Sequence, residues 1–253
     1  MIWKLIGQST IGSSHISLNK ACDDSIKYGT VNSSIGDEVL VCCVSDGAGS
    51  AKFASKGSEF TTKYAYDKLT NWIIENINIT DALIYSLFES ILDELIAKSQ
   101  EINEDVSEFS CTLLGSVLYK NKSIFFQLGD GAIIRDANNN NYSVIWWPSN
   151  GEYLNSTFFV TDMNSLANLN IKILDESVCE ISIFTDGLQM SALNMEDKSV
   201  HLPFFENMFK WLRRSKDMND LENLNSKLNE FLSSRIINEQ TDDDKTLFLA
   251  TSL

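Results

Sequence analysis

The chain has 253 residues, 43% of them hydrophobic, and its 35 acidic and 20 basic side chains give a formal net charge of −15. A chain of this length can bury a large core, and its acidity disfavours the phosphate backbone of a nucleic acid as a partner. No run of about eighteen apolar residues and no signal-peptide core occurs, so we expect a cytoplasmic protein that does not span a membrane.

The cysteines and histidines do not form a pattern typical of zinc proteins. The chain has only two histidines, and its five cysteines include no CxxC pair; they are Cys22, Cys42, Cys43, Cys111 and Cys179. We expect buried free thiols, three of them inside apolar runs. Because thiolates and imidazoles are scarce, any metal should be held by oxygen ligands.

The predicted elements begin with a buried strand at residues 38–44, followed at once by the turn sequence Ser-Asp-Gly-Ala-Gly. Two helices come next, and the second has an apolar stripe between Leu83 and Ile96, with Thr80 as its N-cap. Seven short strands are then predicted, at residues 112–119, 123–128, 133–135, 142–147, 158–161, 171–174 and 181–184.

The last part of the chain predicts two more helices, around residues 204–211 and 221–231, and a final strand at residues 246–250. The small polar turns between the central strands indicate hairpins. This order of elements predicts an α+β fold in which antiparallel sheets are covered by helices. Since no linker interrupts it, residues 1–253 should form a single domain.

Acidic residues flank several of these strands. Asp46, Asp130 and Asp186 each follow an apolar strand and precede a glycine, the run 242–244 precedes the last strand, and Asp23-Asp24 lies near the start of the chain. One Asp-Gly is typical of a turn. Several carboxylates at a common sheet edge would repel one another, which favours bound cations. Hard oxygen ligands select Mg²⁺ or Mn²⁺. Two such ions about 4 Å apart could share and activate a water, so the pattern of carboxylates predicts a two-metal hydrolase.

The order of these motifs resembles that of the protein phosphatase 2C family over nearly the whole chain. The series is Asp23-Asp24, Ser45-Asp46-Gly47-Ala48-Gly49, Gly129-Asp130-Gly131, Thr185-Asp186-Gly187 and Asp243-Asp244-Lys245-Thr246. Similarity to a divergent bacterial branch lies in His15-Ile16-Ser17, Cys22-Asp23-Asp24, Gly151-Glu152-Tyr153, Asn155-Ser156-Thr157 and the run 241–246. The resemblance implies a four-layer αββα sandwich, with two antiparallel sheets flanked by helices, and hydrolysis of phosphoserine and phosphothreonine in proteins.

The resemblance also implies a set of metal ligands. Asp46, Asp186 and Asp243 would be the catalytic carboxylates, and Asp24 and the carbonyl oxygen of Gly47 would complete the set. Asp46 would bridge two Mn²⁺ or Mg²⁺ ions, and a water between the ions would attack the phosphoryl group.

Further residues would surround this core. By the same resemblance, Asp23 would act through a metal-bound water, Asp130 is a candidate for a third metal, and His15 is a candidate for binding the substrate phosphate. Residues 151–161 would lie in a flap beside the active site. The substrate would be a phosphoprotein, either a kinase or the target of one.

The chain departs from the family pattern where substrate is expected. His15 and Lys20 stand near the position of a phosphate-binding arginine of many members, Ala48 replaces a proton-donating histidine, and Met190 replaces an acidic residue of some members. An alternative therefore stays open, in which a catalytically weak, phosphatase-like module binds a phosphoprotein or kinase. The retained set of mutually repelling carboxylates favours the enzyme.

Overall fold

The computed structural model describes residues 2–34, 36–137, 141–148 and 157–252. Within these ranges the strands are β1 (Trp3–Thr10), β2 (Ser25–Asn32), β3 (Glu38–Ser45), β4 (Leu113–Leu118), β5 (Ser123–Leu128), β6 (Ala132–Asp136), β7 (Tyr142–Val144), β8 (Asn170–Leu174), β9 (Glu180–Phe184), β10 (Leu193–Asn194), β11 (Ser199–Val200) and β12 (Lys245–Ser252). The α-helices are α1 (Ser13–Ser17), α2 (Ala54–Ile74), α3 (Asp81–Glu101), α4 (Gln189–Ala192), α5 (Leu202–Arg214), α6 (Met218–Leu232) and α7 (Arg235–Asn238).

The chain forms two compact units, each built on one five-stranded sheet. The β3 unit comprises Asp23–Asp130 and Pro148–Ser177, with strand order β2-β3-β4-β5-β8. The β12 unit comprises Met1–Cys22, Gly131–Trp147 and Val178–Leu253, with strand order β1-β12-β9-β6-β7. Neighbouring strands are antiparallel in both sheets. The predicted α+β class, with two antiparallel sheets and flanking helices, is confirmed; a single domain stays a prediction.

In the β3 unit, α2 and α3 pack on the sheet through apolar side chains. The Thr80 hydroxyl caps α3 by accepting from the Leu83 N–H at 3.4 Å, as the sequence predicts. The Phe88 ring of α3 packs edge-on against Phe126 of β5, with ring centroids 6.0 Å apart. A Cβ at Gly115 would lie 2.2 Å from that Phe126 ring, so glycine there makes the packing possible.

In the β12 unit, α5 and α6 cover the sheet. Phe205, Phe209 and Leu212 of α5 recur at helical spacing and are fully buried. Strand β12 is buried along nearly its whole length and pairs with β1 from Trp3↔Ser252 to Thr10↔Lys245. The two ends of the chain therefore meet in one sheet, and they place the acidic run before β12 at one end of that sheet.

Four strands, β1, β2, β10 and β11, were missed in the sequence, and one prediction was wrong. The missed strands β1 and β2 mix polar residues and glycine with apolar ones, so neither contains a continuous apolar run. Residues 158–161 do not form a strand. Instead, Phe159 and Asp162 close a turn with two hydrogen bonds, and Val160 is buried from within that loop. The apolar pattern there reflects burial of a loop rather than pairing in a sheet.

The cysteines are free, and Cys42, Cys43 and Cys111 are buried as predicted, whereas Cys22 is half-buried and Cys179 is exposed. None of the helices in the described ranges has the length and apolar character needed to cross a membrane.

Candidate functional site

Asp46 is held firmly at the end of β3. Its N–H donates to the Thr112 hydroxyl at 2.9 Å, and its carbonyl accepts from the Thr112 N–H at 2.8 Å. These two bonds keep the register of the β3–β4 pairing and lie two residues beyond the Val44–Leu114 pair. The backbone of Asp46 is thereby fixed, and its half-buried carboxylate is presented at the edge of the sheet.

Gly47 lies where a side chain would not fit. A Cβ there would be 2.8 Å from both the Ala54 and the Asp23 carbonyl oxygens. The Gly47 N–H donates to that Asp23 carbonyl at 3.1 Å. Asp23 and Asp24 are both buried and directly precede β2, whose Ser25 pairs with Ser45. The first two acidic motifs therefore meet at one end of the β2–β3 pair.

Asp130 reaches the same end of the sheet. It follows β5 after Gly129, which has φ +121° and packs against Thr112. A carboxylate oxygen of Asp130 lies within 4.8 Å of one of Asp46. The β3 unit thus gathers Asp46 and Asp130 from strands that are far apart in sequence.

The described part of the predicted flap also lies beside this edge. The Val160 N–H donates to the Cys111 carbonyl at 2.8 Å, and the Thr161 and Ser110 hydroxyls are 2.6 Å apart. Cys111 in turn forms an isolated antiparallel β-bridge with Gly47. Residues 151–156, which carry the rest of that prediction, lie outside the described residues.

The β12 unit presents a second acidic group. Asp186 begins a single 3₁₀ turn one residue after the end of β9. The intervening Thr185 forms two hydrogen bonds with Thr246 near the start of β12. A Cβ at Gly187 would lie 2.1 Å from the Asp244 carbonyl oxygen, so this turn packs directly on the backbone of the acidic run before β12.

The three consecutive aspartates before β12 differ in their surroundings. Asp244 is 2% exposed, and its two carboxylate oxygens accept from the Gly12 N–H at 2.6 Å and from His15 Nδ1 at 2.9 Å. Asp243 is exposed, and one of its carboxylate oxygens accepts from the Asp244 N–H at 2.8 Å. Both oxygens of Asp244 are therefore used in hydrogen bonds that hold the start of the chain against the acidic run. Asp243 is the better candidate to bind a metal.

His15 is largely buried beside Asp244. The contact fixes the imidazole and joins α1 to the acidic run, and Ser14 adds hydrogen bonds from its N–H and its hydroxyl to the Asp242 carbonyl. The sequence did not predict this pairing, because the two residues are at opposite ends of the chain.

Lys245 belongs to the motif Asp243-Asp244-Lys245-Thr246, but its role in the site was not predicted. It is fully buried, and its Nζ donates to the Asn238 side-chain oxygen at 2.9 Å and to the Asp243 carbonyl at 3.0 Å. The ammonium group therefore ties the backbone of Asp243 to α7. A lysine at the head of an apolar strand, directly after an acidic run, is the signal that could have revealed it.

The donor sets fit hard divalent cations. Each unit has carboxylates at the ends of its strands, and the imidazole of His15 is already engaged by Asp244. Carboxylate and carbonyl oxygens are the ligands that Mg²⁺ and Mn²⁺ prefer. Bound cations would relieve the repulsion between Asp46 and Asp130.

Comparison with known proteins agrees with this chemistry. The family model described as protein phosphatase 2C matches residues 11–233. Serine/threonine-protein phosphatase 3 of Escherichia coli (strain K12) is 33% identical over 251 residues, which cover 99% of this chain and 98% of that protein.

Solved structures support the fold. The serine/threonine phosphatase Stp1 from Staphylococcus aureus matches with a TM-score of 0.61 at 14% identity, covering 100% of this chain and 96% of that one. RsbX in complex with magnesium matches with a TM-score of 0.55 at 15% identity, covering 98% of this chain and 94% of that one. From the family match and the full-length relative together, it follows that the chain belongs to the protein phosphatase 2C family.

Proposed function

We propose that this protein is a metal-dependent phosphatase that removes phosphate from phosphoserine and phosphothreonine in proteins. The observation that carries the proposal is that the acidic motifs of the family lie at strand ends, with Asp46 pinned by Thr112 and Asp130 within 4.8 Å of it. The full-length relative is named as a serine/threonine-protein phosphatase, which supports the substrate class.

The proposed metal ligands are the carboxylates of Asp24, Asp46, Asp186 and Asp243 and the carbonyl oxygen of Gly47. The oxygen-only donor set favours Mg²⁺ or Mn²⁺, and a structural neighbour is described in complex with magnesium. When bound, such ions activate water and stabilise charge on the phosphoryl group. Asp23 would hold a metal-bound water.

The chain's own residues orient these ligands. Thr112 fixes the backbone of Asp46, Lys245 fixes that of Asp243, and Gly187 lets the Asp186 turn approach the Asp244 backbone. His15 is engaged by Asp244, which supports a positioning role. Phosphate binding by His15 stays a prediction.

A metal-dependence assay tests the proposal. We expect the parent protein to release phosphate from a phosphothreonine peptide, in preference to a phosphotyrosine peptide, only with added Mn²⁺ or Mg²⁺. Asp46→Asn should lower kcat by orders of magnitude, whereas Asp67→Asn, an exposed carboxylate of α2, should not. Undiminished activity after exhaustive chelation would show that the metal assignment is wrong.

Asp130 is proposed to assist a third, weaker metal rather than the essential pair. We expect Asp130→Ala to lower kcat less than Asp186→Ala, measured at saturating Mn²⁺ with both variants folded. A loss as severe as that of Asp186→Ala would place Asp130 in the essential set.

The alternative is a phosphatase-like module that binds a phosphoprotein without turnover. Ala48, in place of a proton-donating histidine, is the feature that favours it. Saturable binding of the phosphothreonine peptide with no phosphate release under any divalent cation would establish that alternative. A kinase or kinase target as the partner and a cytoplasmic location stay predictions.

A further inference from the structure

A groove lies between α5 and α6 in the β12 unit, with a volume of about 500 Å³. Its walls are apolar side chains at positions i, i+4 and i+7 of each helix: Phe204, Met208 and Trp211 of α5, and Leu224, Leu228 and Phe231 of α6. Its lining includes Ile6 of β1, which is 4% exposed, so the groove passes between the helices down to the sheet.

The ionisable residues that line the groove are basic. The chain has an excess of fifteen negative charges, yet none of the described residues that line the groove is acidic. Its two ionisable lining residues are Lys227 and His201, and both are exposed. The guanidinium of Arg214 lies over the ring of Trp211, 6.0 Å from its centroid. The groove is therefore complementary to an anion with an apolar body.

The shape of the groove favours a small molecule over a helix. Ile6 lies at the bottom of the groove and is only 4% exposed, so only a narrow group can reach it. A helix with its side chains is about 10 Å wide or more, which is too broad. A single alkyl chain is narrow enough to reach Ile6. The volume falls within the range of about 300–1,000 Å³ that is typical of small-molecule sites.

His201 connects this groove to the rest of the unit. Its Nδ1 donates to the Ser191 carbonyl at 2.8 Å, and its N–H donates to the Ala192 carbonyl at 2.9 Å. Because a carbonyl oxygen only accepts, Nδ1 carries the proton in that bond, and the two hydrogen bonds hold the ring in place. The groove therefore has a fixed imidazole as well as the ammonium group of Lys227.

We propose that this groove binds a small amphipathic carboxylate. Its apolar body lies against Phe204, Met208 and Phe231, and its carboxylate lies near Lys227. This proposal is independent of the proposed catalytic activity, because no residue of the groove is among the proposed metal ligands.

Calorimetric titration of the full, metal-free chain in EDTA tests the proposal, with decanoate as the probe. We expect one decanoate per chain, and octanoate should bind roughly tenfold more weakly because two methylene groups are lost. Decylammonium, with the same chain length and the opposite charge, should bind more weakly than decanoate.

Two lysine variants locate the site. Lys227→Glu should weaken decanoate binding roughly three- to tenfold, since an exposed attraction becomes a repulsion. Lys210→Glu is the matched control, because Lys210 is on α5, one of the two helices that form the groove, but lines a different, polar cavity. It should leave binding within about twofold of the parent, since the charge change is the same but Lys210 is not among the residues that line the groove.

Three results would overturn the proposal: no binding of decanoate, equal weakening by Lys227→Glu and Lys210→Glu, or equal affinity for decanoate and decylammonium. If decanoate fails to bind but an acidic amphipathic helical peptide binds and is lost in Lys227→Glu, the groove is a helix-docking site and the small-molecule proposal is wrong.

Discussion

At the scale of single residues, the candidate site depends on close backbone approaches more than on side-chain reach. Gly47 and Gly187 each occupy a position where a Cβ would meet a carbonyl oxygen of a neighbouring acidic motif. Glycine is therefore required by contact with the next motif as well as by the turn itself. The acidic groups of each unit are brought together by such contacts between backbones.

Replacement of Gly47 by alanine tests this directly. The new Cβ would lie 2.8 Å from two carbonyl oxygens, so we expect a lower melting temperature and a large loss of metal-dependent activity. Gly49→Ala is the control, because a Cβ there meets no described atom within 4 Å. Similar effects of the two variants would contradict the steric explanation.

Lys245 gives a second prediction at this scale. Lys245→Met should lower the free energy of unfolding by about 1–3 kcal/mol, because the Asn238 side-chain oxygen and the Asp243 carbonyl lose their buried donor. It should also reduce the rise in melting temperature that Mn²⁺ produces, because Asp243 is no longer positioned.

Lys122→Met is its matched control. The Nζ of Lys122 also donates to an asparagine side chain and a backbone carbonyl, but it lies at the start of β5, at the strand end opposite Asp130. Its loss should leave the response to Mn²⁺ unchanged. A full Mn²⁺ response in Lys245→Met, measured by differential scanning calorimetry, would show that Lys245 does not position Asp243.

At the scale of elements, a buried carboxylate joins four parts of the β12 unit. Glu180 of β9 accepts from the Tyr142 hydroxyl of β7 at 2.6 Å, from the Arg213 guanidinium of α5 at 2.7 and 2.8 Å, and from the Thr251 hydroxyl of β12 at 2.9 Å. Burial, and then the hydrogen bond to Glu180, raise the pKa of Tyr142 well above its ordinary value of 10.0.

This shift predicts a loss of stability in alkaline solution. Above about pH 10 the unfolded chain releases the Tyr142 proton while the folded chain retains it, so the free energy of unfolding falls as the pH rises. We expect Tyr142→Phe to lower stability by about 1 kcal/mol at pH 7 but to show a shallower decline between about pH 9.5 and 11. Tyr85→Phe, at an exposed position of α3, should follow the parent. Parallel declines in Tyr142→Phe and the parent, in urea titrations across this range, would refute the assignment.

At the scale of the whole molecule, the thiols report on global folding. Cys42, Cys43 and Cys111 are buried in the β3 unit, and their burial raises the pKa of each thiol. Since the thiolate is the reactive form, these three should resist alkylation in the folded protein.

Iodoacetamide labelling at pH 8, read by peptide mass spectrometry, checks this. Cys179, which is exposed, should be modified first, and the three buried thiols only at the rate of unfolding. Urea should bring all of them to similar rates. Early labelling of Cys43 in the native protein would contradict the described packing of β3.

Local patterns in the sequence determined the class of fold, the α3 helix with its Thr80 cap, the central antiparallel strands, and oxygen as the only plausible metal donor. These follow from periodicity and residue chemistry, which act between near neighbours. Only the tertiary structure decided that β1 pairs with β12, that Asp244 is held by His15 while Asp243 is left exposed, and that Lys245 is buried beneath the Asp243 carbonyl. The physical reason is that hydrogen-bond partners and burial are set by distant chain segments, which for His15 and Asp244 are more than two hundred residues apart. Three adjacent aspartates have the same chemistry, and only such tertiary contacts make them different.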